Sequence, residues 1–160
     1  SSGTFKPDGS LARDTPASTP AARAPSALPT AEVNKAVLAR YTEFRKLESR
    51  AYSSNDPGQL PTVATDPILT ETTRNIEDQQ SRSEVWRYTT VSNAKVYARS
   101  QDGLTVYVID CLRTLAAYRY SLKTGKRTAG GPGVAYRYRT AVRYDQGTWK
   151  VSETVRDKRC

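Results

Sequence analysis

From residue 30 onward, large apolar side chains recur every three or four positions: Val33, Val37, Tyr41, Phe44 and Leu47. This spacing predicts an amphipathic helix with one stripe against a core, ending near Ala51-Tyr52. Lys35, Arg45, Lys46 and Arg50 fall on its opposite face. Thr30 is the expected N-cap, with Glu32 in the first turn. Ser53-Ser54-Asn55-Asp56-Pro57-Gly58 breaks the pattern, and a short helical piece is expected over residues 59–64. Asp66-Pro67 then reads as an N-cap followed by proline at the first helical position. Ile68, Leu69, Thr72 and Ile76 give that second helix its stripe.

Near residue 83 the period drops to two. Residues 85–99 are rich in Val, Tyr, Trp and Thr, and Gln101-Asp102-Gly103 forms a turn. Strands are expected over 104–112, 114–122, 134–144 and 148–155, with turns at Lys123-Thr124-Gly125-Lys126 and Asp145-Gln146-Gly147. Gly130-Gly131-Pro132-Gly133 lacks the Gly-Lys-Ser/Thr ending of a phosphate loop and leads no helix, so a flexible hairpin loop is expected there. Lys123, Lys126 and Arg127 beside it are placed to meet an anion. Helices first and an antiparallel meander afterwards make an α+β domain over residues 30–160.

Alternation assigns faces. Val134, Tyr136, Tyr138, Thr140, Val142 and Tyr144 share one side of their strand, and Arg137, Arg139 and Arg143 the other. In the last strand Trp149, Val151 and Val155 oppose Lys150 and Arg156, which leaves Glu153 on the apolar side. A carboxylate there must line a cavity or lie past the edge of the core. The aromatic face is expected to meet the helices and the basic face solvent or a partner.

Residues 1–29 hold five prolines, Pro7, Pro16, Pro20, Pro25 and Pro29, among Ala, Ser, Thr and Gly. Such a stretch buries too little to order itself, so a disordered tether reaching roughly 30 Å is expected. The chain does not begin with Met, so a processed or trimmed form is expected. No stretch approaches the roughly 20 apolar residues of a membrane span.

The formal charge is +9, and it is not evenly spread. Residues 113–160 hold 12 basic and 3 acidic side chains; the rest of the chain is balanced. Arg119, Arg137, Arg139, Arg143 and Lys150 are the candidates for a basic sheet face. Tyr and Arg alternate onto opposite sides of the strand that carries most of them, so they cannot jointly stack and clamp a nucleic acid. The chain has no histidine, which excludes His-dependent hydrolysis and His-ligated zinc. No metal or other cofactor is expected.

The two cysteines, Cys111 and Cys160, have no CxxC spacing. They are expected to form a disulfide closing a loop of about 50 residues, which points to an oxidising, extracytoplasmic compartment. Two unrelated thiols are the alternative.

The order of elements resembles the small secreted proteins and lipoproteins of actinomycetes. So do Ile109-Asp110-Cys111, Thr124-Gly125-Lys126, the strand of residues 136–144, Gly147-Thr148-Trp149-Lys150-Val151 and the terminal Cys160. Those proteins are similar to the nuclear-transport-factor-2-like (cystatin-like, SnoaL-like) superfamily. The resemblance spans about residues 30–160. It implies a helical layer packed in a strongly curved antiparallel sheet, a cone, and a lipidated cysteine upstream of the tether. In many such proteins an acid stands two positions after the cysteine; here that place is Arg113, which argues against paired carboxylates.

Three functions follow. The leading one is a non-catalytic extracytoplasmic domain, secreted or lipid-anchored, that contacts an envelope protein or an anionic polymer or lipid surface through its basic face. A homodimer through the sheet is a further expected contact. The second is a small-molecule-binding or isomerase/dehydratase-like enzyme using the cone interior. For it Asp110 and Glu153 are the candidate bases, with Tyr41, Tyr118 and Tyr138 as donors. The third is a scaffold subunit of an envelope secretion or conjugation machine.

Overall fold

A computed structural model describes residues 25–160 of the chain. Two helices, α1 (Thr30–Ser54) and α2 (Ile68–Ser81), precede six strands. These are β1 (Glu84–Val91), β2 (Ala94–Arg99), β3 (Thr105–Ser121), β4 (Arg127–Pro132), β5 (Ala135–Asp145) and β6 (Thr148–Arg159). All strand pairs are antiparallel, and the domain is α+β and cone-like. Neither helix is long and apolar enough to cross a membrane.

The stripe predicted on α1 is the stripe that packs. Val33, Val37, Tyr41 and Phe44 are fully buried against Val106, Val108, Val142, Trp149 and Val151 of the sheet. Burial of side chains this size stabilises by about 1.5–3 kcal/mol each. The first turn differs from expectation, because Thr30 is already helical and Pro29 occupies the cap without a side-chain hydrogen bond. At α2 the helix begins at Ile68, after a cis Asp66-Pro67 bond. Asp66 still caps it, with Oδ1 accepting from the Thr70 N–H at 3.0 Å and from the Thr70 hydroxyl at 2.6 Å. The short helical piece is a 3-10 turn, Leu60–Thr62.

β3 is one strand of 17 residues where two shorter ones were expected. It is long enough to take two partners on each side. Its first half pairs with β2 and β5, its second with β1 and β4, and β6 follows β5. Gly130-Gly131-Pro132 therefore lies in β4, not in a loop. A side chain at Gly130 (φ +106°) would stand 2.1 Å from the Ala117 carbonyl oxygen, so glycine is what lets β4 approach β3. Register shifts at Thr89/Thr90, Val96/Ala98, Arg119/Tyr120, Tyr136/Tyr138 and Ala141/Val142 are the bulges that curve the sheet around the helices.

Two edges are covered by the chain itself. Beside β6, Val151 N–H donates to Val63 O at 2.9 Å and Thr65 N–H to Val151 O at 2.8 Å. Beside β1, Ser49 Oγ donates to Tyr88 O and Asn55 Nδ2 to Glu84 O. The tether expected over 1–29 lies mostly outside the described residues. Its last residues do not run free, since Pro25–Ala27 is a 3-10 turn and Leu28 packs on the core.

Cys111 and Cys160 form the expected disulfide, with Cα atoms 6.0 Å apart. The Cys160 N–H also donates to Ala135 O, so backbone and bridge together hold the chain end on β5 and β3. In the chain-entropy model a loop of 49 residues is worth roughly 4 kcal/mol. Replacing both cysteines by serine is expected to lower the urea-unfolding free energy by about that amount. A loss below about 1 kcal/mol would show that the β5–β6 ladder alone holds the end.

Candidate functional site

Alternation along β3 turns Asp110 inward beside Val106 and Val108, where it is 1% exposed. A carboxylate in that position needs donors. Oδ2 accepts from the Tyr41 hydroxyl at 2.6 Å and from the Ser92 hydroxyl at 2.7 Å, and Oδ1 from the Asn93 N–H at 2.7 Å. Ser92-Asn93 is the break between β1 and β2, so the carboxylate supplies the bonds that the interrupted ladder lacks there. The chain of contacts continues on α1. Arg45 Nε donates to the Tyr41 oxygen at 3.0 Å, and Arg45 Nη1 meets Glu48 Oε1 at 3.1 Å.

The Arg45 guanidinium lies 5.0 Å from the Tyr138 ring centre and 5.2 Å from that of Tyr41. Its Nη2 is buried and has no hydrogen-bond partner. Arg45 thus belongs with Tyr41, one turn earlier on the same stripe, and not on the solvent face expected for it. The signal for this is the four-residue spacing from Tyr41 together with Glu48 three residues on.

Arg45 also lines a cavity of about 450 Å³ between the helices and the sheet, together with Glu48, Tyr52, Glu71, Tyr88 and Tyr138. The two candidate bases are not brought together at it. Asp110 does not line the cavity and its oxygens are held by three donors. Glu153 is exposed on the outer side, in a depression with Tyr97, Tyr107 and Arg139. The cause is the register shift opposite Ala141/Val142, where Val151 and Ser152 are both buried and the alternation reverses. The reversal turns Glu153 and Val155 outward and Thr154 toward the cavity, and places Arg156 over the Tyr136 ring at 4.6 Å. Of the candidate donors, Tyr138 lines the cavity, Tyr41 stands behind Arg45, and Tyr118 lies further along the sheet.

On the outer side Arg143 and Lys150 are direct register partners, and Arg137 faces Cys111 across the β3–β5 ladder. Arg139 pairs with Asp157 at 3.0 Å. Among the described residues, Arg137, Arg143 and Lys150 make no ion pair. Arg119 is not part of this group. It sits eight residues beyond Cys111 on β3, over the Trp86 ring and 3.5 Å from Glu84.

Burial pushes the Tyr41 phenol above its ordinary value; Arg45 pulls against that rise and Asp110 adds to it. Burial also pushes Tyr88 well above its ordinary value. The native state therefore keeps phenolic protons that the unfolded chain loses above about pH 10, and stability should be level below that pH and fall above it. Denaturation at a series of pH values checks this, and Tyr41→Phe should shallow the decline. Asp110→Ala, which strands three donors, is expected to cost about 3 kcal/mol or more.

No family model matches the chain, and no curated protein does. Among solved structures it is similar to the intermembrane space region of the chloroplast protein ARC6. The TM-score is 0.67 at 20% identity, covering 78% of this chain and 96% of that one. It is also similar to Aln2 from a Streptomyces species, with TM-score 0.50 at 15% identity, covering 82% of this chain and 93% of that one. These likenesses are of fold, and they are consistent with a nuclear-transport-factor-2-like, cystatin-like α+β architecture.

Proposed function

We propose that the chain is a non-catalytic, extracytoplasmic binding domain, tethered to the cell envelope by its N-terminal segment. It contacts an anionic envelope partner through the outer side of β5–β6. The observation that carries this reading is the pair Arg143 and Lys150, side by side across the β5–β6 ladder, with Arg137 further along the same side of β5, on a bulged, disulfide-pinned sheet and without acidic partners among the described residues. Unpaired cations on a rigid surface favour a complementary anion and make its capture salt-dependent. The disulfide supports an oxidising compartment. The ARC6 region of similar fold is itself an intermembrane-space region. A lipidated cysteine before Ser1 would complete the anchor. The combined variant Arg137→Glu, Arg143→Glu, Lys150→Glu is expected to leave the fold intact and to abolish association with envelope fractions. Unchanged association would remove this reading.

A second reading, a small-molecule site in the cone, is favoured by the unpartnered Arg45 Nη2 in the wall of the cavity. A buried N–H without an acceptor costs about 1–3 kcal/mol, which a ligand oxygen would offset. Aromatic carboxylates titrated into the protein should then shift the amide resonances of Arg45 and Tyr138, and Arg45→Lys should suppress the shift. Shifts confined to the outer strands would exclude the interior.

A further inference from the structure

Beyond the β5–β6 face, a second group of cations stands where β1, the second half of β3 and β4 run together. Arg87 is the register partner of Tyr118, and Arg127 of Tyr120, so the four side chains share one side of the sheet. They cross diagonally, with the Arg127 guanidinium 3.8 Å over the Tyr118 ring and that of Arg87 5.0 Å over the Tyr120 ring. Stacking on a ring fixes a guanidinium in one orientation while leaving its N–H edges free for an oxyanion.

Neither arginine has an ion pair among the described residues. The acid at this end, Glu84, is held by Arg82 and Arg119. Lys123 and Lys126, exposed in the turn between β3 and β4, add charge of the same sign. Beside the stacked pairs lies a cavity of about 450 Å³ that α1 walls with Ser49 and Ser53, over a floor of Arg87, Ala116 and Tyr118.

We propose that this end of the sheet is an anion-binding groove for a linear polyanion, whose successive phosphate groups are taken by Arg87 and Arg127. The two arginines come from the strands on either side of β3, and their guanidiniums stack over Tyr118 and Tyr120, two residues apart along it. Two guanidiniums fixed in succession over one strand suit a chain with repeating charge, each meeting a separate phosphate. The helix wall of Ser49 and Ser53 beside Arg87 gives this end of the sheet the shape of a groove, which suits a chain better than a flat bilayer. Here Tyr and Arg act together from neighbouring strands, an arrangement that alternation within one strand forbids. The groove is independent of the β5–β6 face.

The test is calorimetric titration of the full chain, bridge intact, with medium-chain inorganic polyphosphate at several salt concentrations. Arg87→Gln with Arg127→Gln is expected to weaken binding about tenfold. The slope of log K against log salt should fall by about 1.5, since each lost contact accounts for about 0.7–0.9. The Arg137→Glu, Arg143→Glu, Lys150→Glu variant should bind within about threefold of the parent. Unchanged binding in the double variant overturns the groove. An equal loss in the triple variant assigns the polyanion to the β5–β6 face instead. Binding to phosphatidylglycerol vesicles without binding to polyphosphate overturns it in favour of a membrane surface. If the double variant does not fold, Lys123→Gln with Lys126→Gln replaces it: a loss of about threefold sustains the groove and no change overturns it.

Discussion

One buried carboxylate connects the parts of this domain that the chain does not. Asp110 lies in the first half of the longest strand, and its oxygens hold the hydroxyl of Tyr41 from α1 and the groups of Ser92 and Asn93 at the break between β1 and β2. The helix is thereby seated at a fixed depth and rotation on the sheet, which dispersion contacts between Val and Phe side chains would not dictate alone. Because Tyr41 passes the contact to Arg45, and Arg45 to Glu48, the same bond network reaches the wall of the cavity. Seating and cavity lining are one construction, so the interior has Arg45 in place before any ligand arrives.

The parts that can be read from residue order alone are those where one period holds without interruption. The stripe of Val33, Val37, Tyr41 and Phe44 and the alternation of Val106, Val108 and Asp110 are both legible for this reason. Legibility fails at the bulges. Ser152 inserts one extra residue, and from there on every inference from alternation in β6 comes out on the wrong side, Glu153 and Arg156 included. A bulge has no compositional signature here, since Val-Ser-Glu is ordinary in a strand. The merging of two expected strands into β3 is a related case. The two expected strands meet at Arg113, but cross-strand partners on both sides keep the chain extended there. Gly130 misleads in the opposite direction, because a residue that suggests a loop is here the one that fits beneath a neighbouring backbone.

Charge is legible as a quantity but not as an arrangement. The excess of the last third is real, yet it divides into groups with different fates. Arg139 and Arg119 are engaged by Asp157 and Glu84; Arg143 and Lys150 stand together without such partners; Arg127, with Arg87 from earlier in the chain, lies flat against tyrosine rings. Only the strand register distinguishes these cases, and register depends on long-range pairing that local pattern does not encode.

The disulfide has a mechanical consequence. It closes residues 111–160 into a covalent ring, so tension between the two chain ends passes from Cys160 directly to Cys111. The intervening residues, which include β4, β5 and all of β6, are outside the load path while the bridge is intact. At about 3.5 Å per residue, roughly 170 Å of chain is withheld from extension. A domain hung from an N-terminal tether and gripped at its far end would yield first in its helices and β1–β2. The strands β5 and β6, which carry Arg137, Arg143 and Lys150, would keep their shape.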